Sequence, residues 1–429
     1  MKHTTYKLKN GLTVILVPHK TLKSINIEAN IKYGSALENP ENAGITHFIE
    51  HLSLTSTKKW PDKKELSKLI EFNGATYNAS TGKETVTYYI NLPYTKFDFG
   101  IEYIYEILFN SNFNPDDIES ERKVILDEIS KAENNVDRRA YTFFIKSLSK
   151  NNSAYMQETL GTQENVKNFT RQGLISHYKK MHDPSNITII VSGNFDEKSI
   201  KHLVSKYFET IKSEIQRPEL PEEGISNKVI KSKSDKKSDL VLFANSFKYK
   251  NIKDIPLKEY SIMSTSLKIL ANTTTSRLYS RLREKEGLLY DIYAETYLYS
   301  KFGAINVSFE IEPIKFEQAL KIYLEEFKKL LHEGITEQEL NHYKEYAYNR
   351  ALLQFDSFSA NKNLLVNAII LDEKIYTAKA VLNSIKKITL PEVNDFIKTH
   401  LNLDNSSFIL YGKVDSNTTK ILKENLTSN

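Results

Sequence analysis

The sequence predicts an α+β fold built from two homologous domains. The chain has 429 residues, which is too long for one ordinary hydrophobic core. Short strand-like runs alternate with longer amphipathic helices, and a hairpin-like opening favours a largely antiparallel sheet. Residues of the first half also recur at fixed spacings in the second half, which indicates a duplicated domain.

The repeat can be checked from the residue numbers. Near the end of each half the offset is 219 (389 minus 170), and nearer the start it is 213 (282 minus 69). The matched pairs are Thr170 and Thr389, Asn186 and Asn405, Gly193 and Gly412, Asp196 and Asp415, Leu69 and Leu282, Gly74 and Gly287, and Tyr77 and Tyr290. We therefore expect a first domain at 1–215, a polar linker at 216–237 and a second domain at 238–429.

Turn residues and periodicity predict the local elements. Asn10-Gly11 lies between two short apolar runs, which is typical of a tight hairpin that opens a sheet. Apolar runs at 187–191 and 406–410 predict a matching strand in each half. A helix is expected over 316–331, with a core face made of Ala319, Leu320, Ile322, Tyr323, Phe327 and Leu331.

The composition indicates a globular protein without thiol chemistry. Hydrophobic residues make up 40% and charged residues 26% of the chain, and no apolar run approaches the ~18 residues of a membrane span. Because cysteine is absent, disulfides and thiolate metal sites are excluded, and histidine and carboxylates are the available ligands. The basic amino terminus lacks a secretory signal pattern, so we expect a cytoplasmic location.

The charge distribution argues against nucleic-acid binding. The net charge of +5 comes from 59 basic and 54 acidic residues and is dispersed along the chain. Residues 228–237 hold five lysines, but no aromatic platform or nucleic-acid motif accompanies them. This segment therefore fits a solvated linker better than a nucleic-acid site.

The most informative segment is His-Phe-Ile-Glu-His at residues 47–51. On a helix, His47 and His51 lie on one face roughly 5–6 Å apart, so both imidazoles can bind one metal ion. Glu50 faces the same space, where a carboxylate can take a proton from a zinc-bound water. The alternative is a surface helix with two solvated histidines. The apolar Phe48, Ile49 and Leu52 favour a helix with a buried side.

A second helix is expected within residues 118–134. Three apolar residues recur there at helical spacing: Val124, Ile125 and Ile129. Glu121 and Glu128 lie seven apart in this segment and project from the same face. Two histidines and a carboxylate are a standard catalytic zinc set. Taken alone, each glutamate fits an exposed helix carboxylate equally well.

Together these residues resemble the pitrilysin and insulinase type inverzincin metallopeptidases, in the two-domain branch of the mitochondrial processing peptidase subunits and their bacterial homologues. In that family a glutamate 77 positions after the second histidine is the third zinc ligand, and another glutamate stands seven before it. Glu128 and Glu121 have these spacings from His51. The resemblance implies one Zn²⁺ per chain, bound by His47, His51 and Glu128, with Glu50 as general base and Glu121 as a supporting carboxylate.

The resemblance also implies where a substrate binds. Asn78, Ala79 and Ser80 match a family edge strand to which an extended peptide adds as a further strand. Arg283 and Tyr290 resemble an arginine and tyrosine pair that contacts the substrate backbone and the oxyanion. Without the resemblance, Arg283 is a surface arginine and Tyr290 one of 25 tyrosines.

Two segments depart from the family pattern. Residues 52–57 differ from the usual Phe-Lys-Gly-Thr type segment, so we expect altered side-chain pockets beside the site. Residues 271–275 lack the usual loop glycines, which argues against substrate recognition of the processing-peptidase kind. At the offset of 213 the metal motif aligns with Tyr260, Met263 and Ser264, so we expect no metal in the second domain.

We therefore expect a zinc endopeptidase that hydrolyses unfolded or extended peptides in a chamber that its two domains close like a clamshell. The alternative is a non-catalytic binding or scaffold subunit of a heteromeric peptidase or membrane complex. Retention of the metal-binding and general-base residues argues against a scaffold. By resemblance, the partner is either a second copy or a related subunit, in a homodimer or a heterodimer.

Overall fold

The computed structural model describes residues 2–150, 154–214, 218–370 and 376–427. They form two compact units, each built on one sheet. The first unit comprises the described parts of 1–132, 153–221 and 365–372, and the second those of 133–152, 222–364 and 373–429. The predicted α+β class and two-domain organisation are confirmed.

The first sheet has six strands and is largely antiparallel. Its strands are β1 (Thr4–Lys7), β2 (Thr13–Pro18), β3 (Ser24–Ile31), β4 (Thr76–Thr81), β5 (Val86–Pro93) and β6 (Ile187–Gly193). Their order is β1-β2-β6-β3-β5-β4, and only β2 and β6 pair in parallel. The predicted hairpin joins β1 to β2, with Lys7 opposite Thr13 and Gly11 in the left-handed region at φ 89°.

Among the described residues of the first half, eight segments are α-helical. They are α1 (Ile45–Ser53), α2 (Lys63–Phe72), α3 (Phe97–Phe109), α4 (Pro115–Asn134), α5 (Val136–Leu148), α6 (Gln163–Asn168), α7 (Arg171–Met181) and α8 (Glu197–Phe208). In the first unit, helices cover the apolar face of the sheet. Ile27 on β3 packs with Ile101 and Ile104 on α3, and all three are fully buried.

The second sheet has five strands. They are β7 (Ile230–Ser234), β8 (Val241–Lys248), β9 (Ile292–Leu298), β10 (Gly303–Ile311) and β11 (Ser406–Gly412), in the order β7-β11-β8-β10-β9. Within the part of the chain that the structure describes, β7 and β11 are the one parallel pair of this sheet. Residues 230–234 thus form an edge strand, whereas the sequence analysis placed them in a linker, because their backbone pairs with β11 while their side chains stay exposed. The predicted boundary at residues 215 and 216 lies outside the described residues.

The helices of the second half are α9 (Leu257–Leu270), α10 (Arg277–Tyr279), α11 (Phe316–Glu333), α12 (Glu337–Phe355), α13 (Phe358–Ile370), α14 (Ala378–Lys386), α15 (Leu390–His400) and α16 (Ser416–Thr427). A π-helical turn, Ser280–Lys285, follows α10. The predicted amphipathic helix corresponds to α11. Its Tyr323 and Phe327 are fully buried against Phe243 and Phe247 of β8.

Helix α5 lies on the opposite face of the second sheet. The rings of Phe144 and Tyr297 are 5.5 Å apart, and those of Phe143 and Tyr411 are 5.8 Å apart. Because these aromatic side chains pack on β9 and β11, α5 belongs to the second unit, although the sequence analysis assigned all of 1–215 to the first.

Matched positions of the repeat have matched structural roles. Gly193 and Gly412 end the two buried strands β6 and β11, with φ of 124° and 100°. Thr170 and Thr389 are the N-cap residues of α7 and α15. These shared roles support the duplication predicted from the offsets. Within the described residues, no helix is both long enough and apolar enough to cross a bilayer.

Candidate metal centre

Helix α1 presents the H-x-x-E-H residues on one face. Its apolar residues Phe48, Ile49 and Leu52 are no more than 1% exposed and belong to the core of the first unit. At 3.6 residues per turn, positions 47, 50 and 51 therefore share the other face. Burial of the apolar side thus determines which way the two histidines and Glu50 point.

The first turn of α1 is held by a carboxylate that the sequence analysis did not identify. The buried Glu38 accepts hydrogen bonds from the backbone N–H groups of Gly44 and Thr46, both at 2.9 Å. These groups have no partner within the helix. Gly44 has φ 96°, and a Cβ there would lie 2.6 Å from the Leu160 carbonyl oxygen, so only glycine fits. An acidic residue shortly before a helix start is a weak sequence signal for this cap.

Burial raises the pKa of Glu38 to about 7, although the hydrogen bonds from Thr46 and Gly44 and the charge of Lys83 act in the opposite direction. The folded state therefore favours the protonated form of this carboxyl more than the unfolded chain does.

The three predicted metal ligands come together. Glu128 on α4 places Oε2 3.8 Å from Nε2 of His47 and 3.7 Å from Nε2 of His51. One ligand atom from each residue lies within 4.8 Å of the others. Around a tetrahedral zinc with bonds of about 2.1 Å, ligand atoms lie about 3.4 Å apart. Small inward movements would therefore let these atoms bind one zinc ion.

The protonation of the two histidines fits a cation site. Burial, reinforced by the charge of His51, lowers the pKa of His47 to about 3, which leaves a neutral imidazole able to donate a lone pair. Burial also acts to lower the pKa of His51, but the Glu121 hydrogen bond and the charges of Glu128 and Glu50 outweigh it and raise that pKa. The carboxylates thus favour positive charge at this point.

Glu121 supports the site from behind His51. Its Oε2 lies 3.1 Å from Nδ1 of His51, and its Oε1 accepts a hydrogen bond of 2.8 Å from Nζ of Lys63 on α2. Burial alone would raise the pKa of Glu121, but these two hydrogen bonds and the charge of Lys63 outweigh it and lower the pKa. A charged Glu121 accepts a hydrogen bond from Nδ1–H of His51, which leaves the Nε2 lone pair of His51 facing Glu128. The sequence analysis did not identify Lys63.

Glu50 is buried beside this group and is held by β4. Its Oε2 accepts a hydrogen bond of 2.5 Å from the hydroxyl of Thr81, the last residue of β4. Burial and the charge of Glu128 raise the pKa of Glu50, against the effects of Thr81 and His51. The sequence analysis gave Thr81 no role at the site, although it directly follows the predicted substrate-binding residues.

Asn78, Ala79 and Ser80 lie in β4, at one edge of the first sheet. They pair with Tyr89, Tyr88 and Thr87 of β5, so only one side of β4 has a strand neighbour among the described residues. Because Thr81 contacts Glu50, this edge ends at the candidate metal centre. An edge strand exposes backbone groups that an extended peptide can pair with.

Arg283 and Tyr290 belong to the second unit and lie together there. The guanidinium carbon of Arg283 is 4.5 Å from the centroid of the Tyr290 ring, and Nη1 donates to the Tyr290 carbonyl oxygen. The Tyr290 side chain is 78% exposed. Tyr290 is thus accessible for a ligand, whereas Arg283 is half-buried, and contact of either side chain with a substrate stays a prediction.

Family models match both halves of the chain. The model described as Insulinase (Peptidase family M16) matches residues 13–163, and the model described as Peptidase M16 inactive domain matches 168–346. The chain belongs to peptidase family M16. The resemblance inferred from the metal motif and its spacings is therefore confirmed, and the second match agrees with a domain pair in which the first half carries the motif.

Bacterial relatives of this M16 chain are named as zinc proteases. An uncharacterized zinc protease of Bacillus subtilis is 25% identical over 396 residues, covering 91% of this chain and 93% of the relative. One of Rickettsia felis is 28% identical over 334 residues, covering 78% and 79%. The roles of individual residues in this M16 chain stay predictions.

Solved structures share the fold. A protease from Helicobacter pylori superposes with a TM-score of 0.86 at 21% identity, covering 96% of this chain and 99% of that one. A protein from Pseudomonas fluorescens, described as a peptidase M16 inactive domain, gives 0.85 at 17% identity, covering 97% and 98%. At these identities the comparison concerns the fold alone.

The raised pKa of Glu38 predicts a pH-dependent stability of the first unit. Because the pKa rises from 4.5 to about 7 on folding, the contribution of Glu38 is full below about pH 4.5 and is lost as the pH rises through about 7. Between pH 4 and pH 8, the unfolding free energy of wild type should fall by about 3 kcal/mol more than that of Glu38→Gln. Urea unfolding followed by fluorescence of Trp60, the single tryptophan, measures this.

Glu41→Gln, an exposed change in the same loop, should keep the wild-type pH dependence. A Glu38→Gln chain whose stability follows pH as wild type does would contradict the proposed protonation of Glu38.

The Glu121 hydrogen bonds predict that this residue controls metal affinity without binding the metal. Glu121→Gln keeps the shape of the side chain but removes the charge that fixes His51. Zinc affinity should fall about 10–100-fold, measured by competition with a chromophoric chelator. Glu119→Gln, on an exposed site of the same helix, is the matched control and should bind zinc as wild type does. If Glu121→Gln and Glu119→Gln bind zinc with equal affinity, Glu121 does not support the metal site.

Proposed function

We propose that this chain is a zinc endopeptidase that hydrolyses unfolded or extended peptides. One observation carries the proposal: the hydrogen bond between Glu50 and Thr81. It places a buried carboxylate of raised pKa between the paired imidazoles of α1 and the open edge of β4. A general base, a cation site and a peptide-binding edge therefore meet at one point.

The chemistry follows from these neighbours. Zinc held by His47, His51 and Glu128 would supply Lewis acidity to a water molecule and to the scissile carbonyl. Thr81 holds Oε2 of Glu50, which leaves Oε1 to accept the proton of the attacking water. The same carboxyl can then return that proton to the leaving amine, and its raised pKa favours the protonated form that this step needs.

Substrate preference follows from the edge strand. A peptide that adds to β4 at Asn78, Ala79 and Ser80 is held through its main chain, so its conformation matters more than its sequence. Folded proteins offer few free extended segments, whereas unfolded peptides offer many. Arg283 and Tyr290 are proposed to contact the substrate backbone and the oxyanion.

The names of two relatives support the proposal, since those of Bacillus subtilis and Rickettsia felis are called zinc proteases. A cytoplasmic location and assembly as a homodimer or a heterodimer stay predictions from the sequence.

The role of Glu50 predicts a variant that binds but does not cleave. Glu50→Gln removes the base while leaving the three metal ligands, so turnover of a peptide library should fall at least about 10²–10⁴-fold. Zinc content and peptide affinity should stay within about twofold of wild type. Cleavage read by mass spectrometry and binding read by fluorescence polarisation measure the two effects.

Glu71→Gln, an exposed change at the end of α2, is the matched control and should cleave as wild type does. If wild type and Glu50→Gln are equally inert towards the library while both bind a partner protein equally well, the scaffold function replaces the peptidase.

A further inference from the structure

A groove of about 630 Å³ lies in the second unit, on the side of the sheet that carries α11. It is lined by the later parts of α11 and α16 and by the starts of β7 and β11. Every described residue that lines it belongs to the second unit. Cavities of about 300–1,000 Å³ are typical of small-ligand sites. The groove is therefore large enough for a small ligand and is built without residues of the candidate metal centre.

The floor of the groove is apolar. Leu324 on α11 and Phe408 on β11 are both 3% exposed. Ile230 on β7 is the register partner of Phe408 in the parallel strand pair, and it is 37% exposed. An aliphatic chain on this floor would cover apolar surface that water now reaches. Three partly buried leucines complete the apolar lining: Leu331, Leu403 and Leu426.

The charged residues of the groove are mostly basic. Lys228, Lys328 and His332 line it, against one acidic residue, Asp404. Within the described part of the chain, neither lysine side chain forms an ion pair. Lys328 lies four residues after Leu324 on α11, so its ammonium group and the apolar floor share one helix face. An ammonium group without a carboxylate neighbour can pair with the anionic end of a ligand.

Lys228 has a strained backbone. Its φ of 58° lies in the left-handed region, which residues other than glycine rarely adopt. The next residue, Val229, holds this conformation in place: its N–H donates to the Ser407 hydroxyl at 3.4 Å, and its carbonyl oxygen accepts from the Phe408 N–H at 2.8 Å. Strained residues of this kind are enriched at ligand sites. The strain supports a role for Lys228 at the rim of the groove.

Polar groups in the lining already have neighbours to bond with. The Ser406 hydroxyl donates to the Leu403 carbonyl oxygen at 2.8 Å and accepts from the Asn245 amide at 2.7 Å. Oδ1 of Asn402 accepts from the Asp404 N–H at 2.9 Å. A peptide would bring main-chain N–H and C=O groups to a floor that offers them few bonds, whereas a hydrocarbon chain brings none. The lining thus favours an aliphatic chain with one charged end.

We propose that this groove binds a free fatty acid, with its carboxylate at Lys228 and Lys328 and its hydrocarbon chain on the apolar floor. The two ammonium groups supply the charge complementarity, and Leu324 and Phe408 supply the apolar contact. An anionic bilayer presents the same chemistry on a flat surface, whereas a groove between two helices fits a single chain. Because residues of the second unit alone line the groove, binding here does not depend on the proposed peptidase activity.

The test compares decanoate with decanol, which have the same hydrocarbon chain but differ in the charge of the end group. Binding to the zinc-loaded, full-length chain is measured by isothermal titration calorimetry, below the concentrations at which either compound aggregates. We expect decanoate to bind at least about tenfold more tightly, since its carboxylate pairs with ammonium groups. Octanoate lacks two methylene groups and should bind about tenfold more weakly than decanoate, because each buried methylene contributes roughly fourfold.

The double variant Lys228→Gln with Lys328→Gln should bind decanoate at least about tenfold more weakly than wild type does, while its decanol affinity stays within about twofold. The matched double variant Lys253→Gln with Lys398→Gln changes two exposed lysines of the second unit and should bind decanoate as wild type does. Equal binding of decanoate and decanol to wild type, or an unchanged decanoate affinity without Lys228 and Lys328, overturns the proposal.

The position of the ligand is mapped separately, because carboxylates also bind zinc. A decanoate analogue that carries a diazirine is photo-cross-linked to the zinc-loaded chain, and mass spectrometry identifies the labelled peptides. We expect labels within 324–332 and 402–408, which line the groove. Labels confined to α1, α4 or β4 would place the carboxylate at the candidate metal centre and overturn the proposal. Sedimentation of the chain with phosphatidylglycerol vesicles, without binding of monomeric decanoate, would overturn it in favour of a membrane surface.

Discussion

The hydrogen bonds between the buried Glu38 carboxyl and the first turn of α1 are the constraint on which the candidate metal centre depends. Helix α1 has nine residues, and helices this short are marginal without tertiary contacts. Its apolar face sets its rotation, whereas Glu38 and the close approach of Gly44 to Leu160 and Gly161 set its position along its axis. The rotation and the axial position of α1 together determine where the side chains of His47 and Glu50 lie.

The excess of carboxylates around the two imidazoles favours the binding of a cation at the candidate metal centre. Glu121 pairs with the ammonium group of Lys63, but within the described residues no lysine or arginine forms an ion pair with Glu50 or Glu128, and Glu128 lies near the two histidines alone. Grouping these carboxylates around two imidazoles in a partly buried place is unfavourable unless positive charge is bound. The raised pKa of His51 reflects that imbalance, because the carboxylates of Glu121, Glu128 and Glu50 outweigh the effect of burial there.

Residues whose positions follow from local periodicity could be predicted from the sequence. The faces of α1 and α11 and the hairpin of β1 and β2 are of this kind, because a period of 3.6 or a turn dipeptide determines them. Glu128 lies 77 residues from His51 (128 minus 51), beyond any local pattern. Only the family resemblance identified it.

Other features depend on tertiary contacts that leave no local trace. Lys63 begins α2 and has an ordinary sequence neighbourhood, so its contact with Glu121 could not be predicted. Thr81 ends the edge strand that the resemblance identified, but its hydrogen bond to Glu50 depends on how β4 meets α1. Strand β7 is exposed on both faces, so it lacks the alternation that marks a strand. Helix α5 follows α4 directly, and its contacts with the second sheet assign it to the second unit: its aromatic rings pack on β9 and β11, and Arg139 forms an ion pair with Asp235.

The central claim is that His47, His51 and Glu128 hold a zinc ion. Anomalous diffraction at the zinc edge, from crystals of the metal-loaded full-length chain, tests it most directly. We predict one anomalous peak per chain, about 2.0–2.2 Å from Nε2 of both histidines and from a carboxylate oxygen of Glu128. A zinc peak bound by other residues, or none between these three in crystals grown from zinc-loaded protein, would contradict the claim.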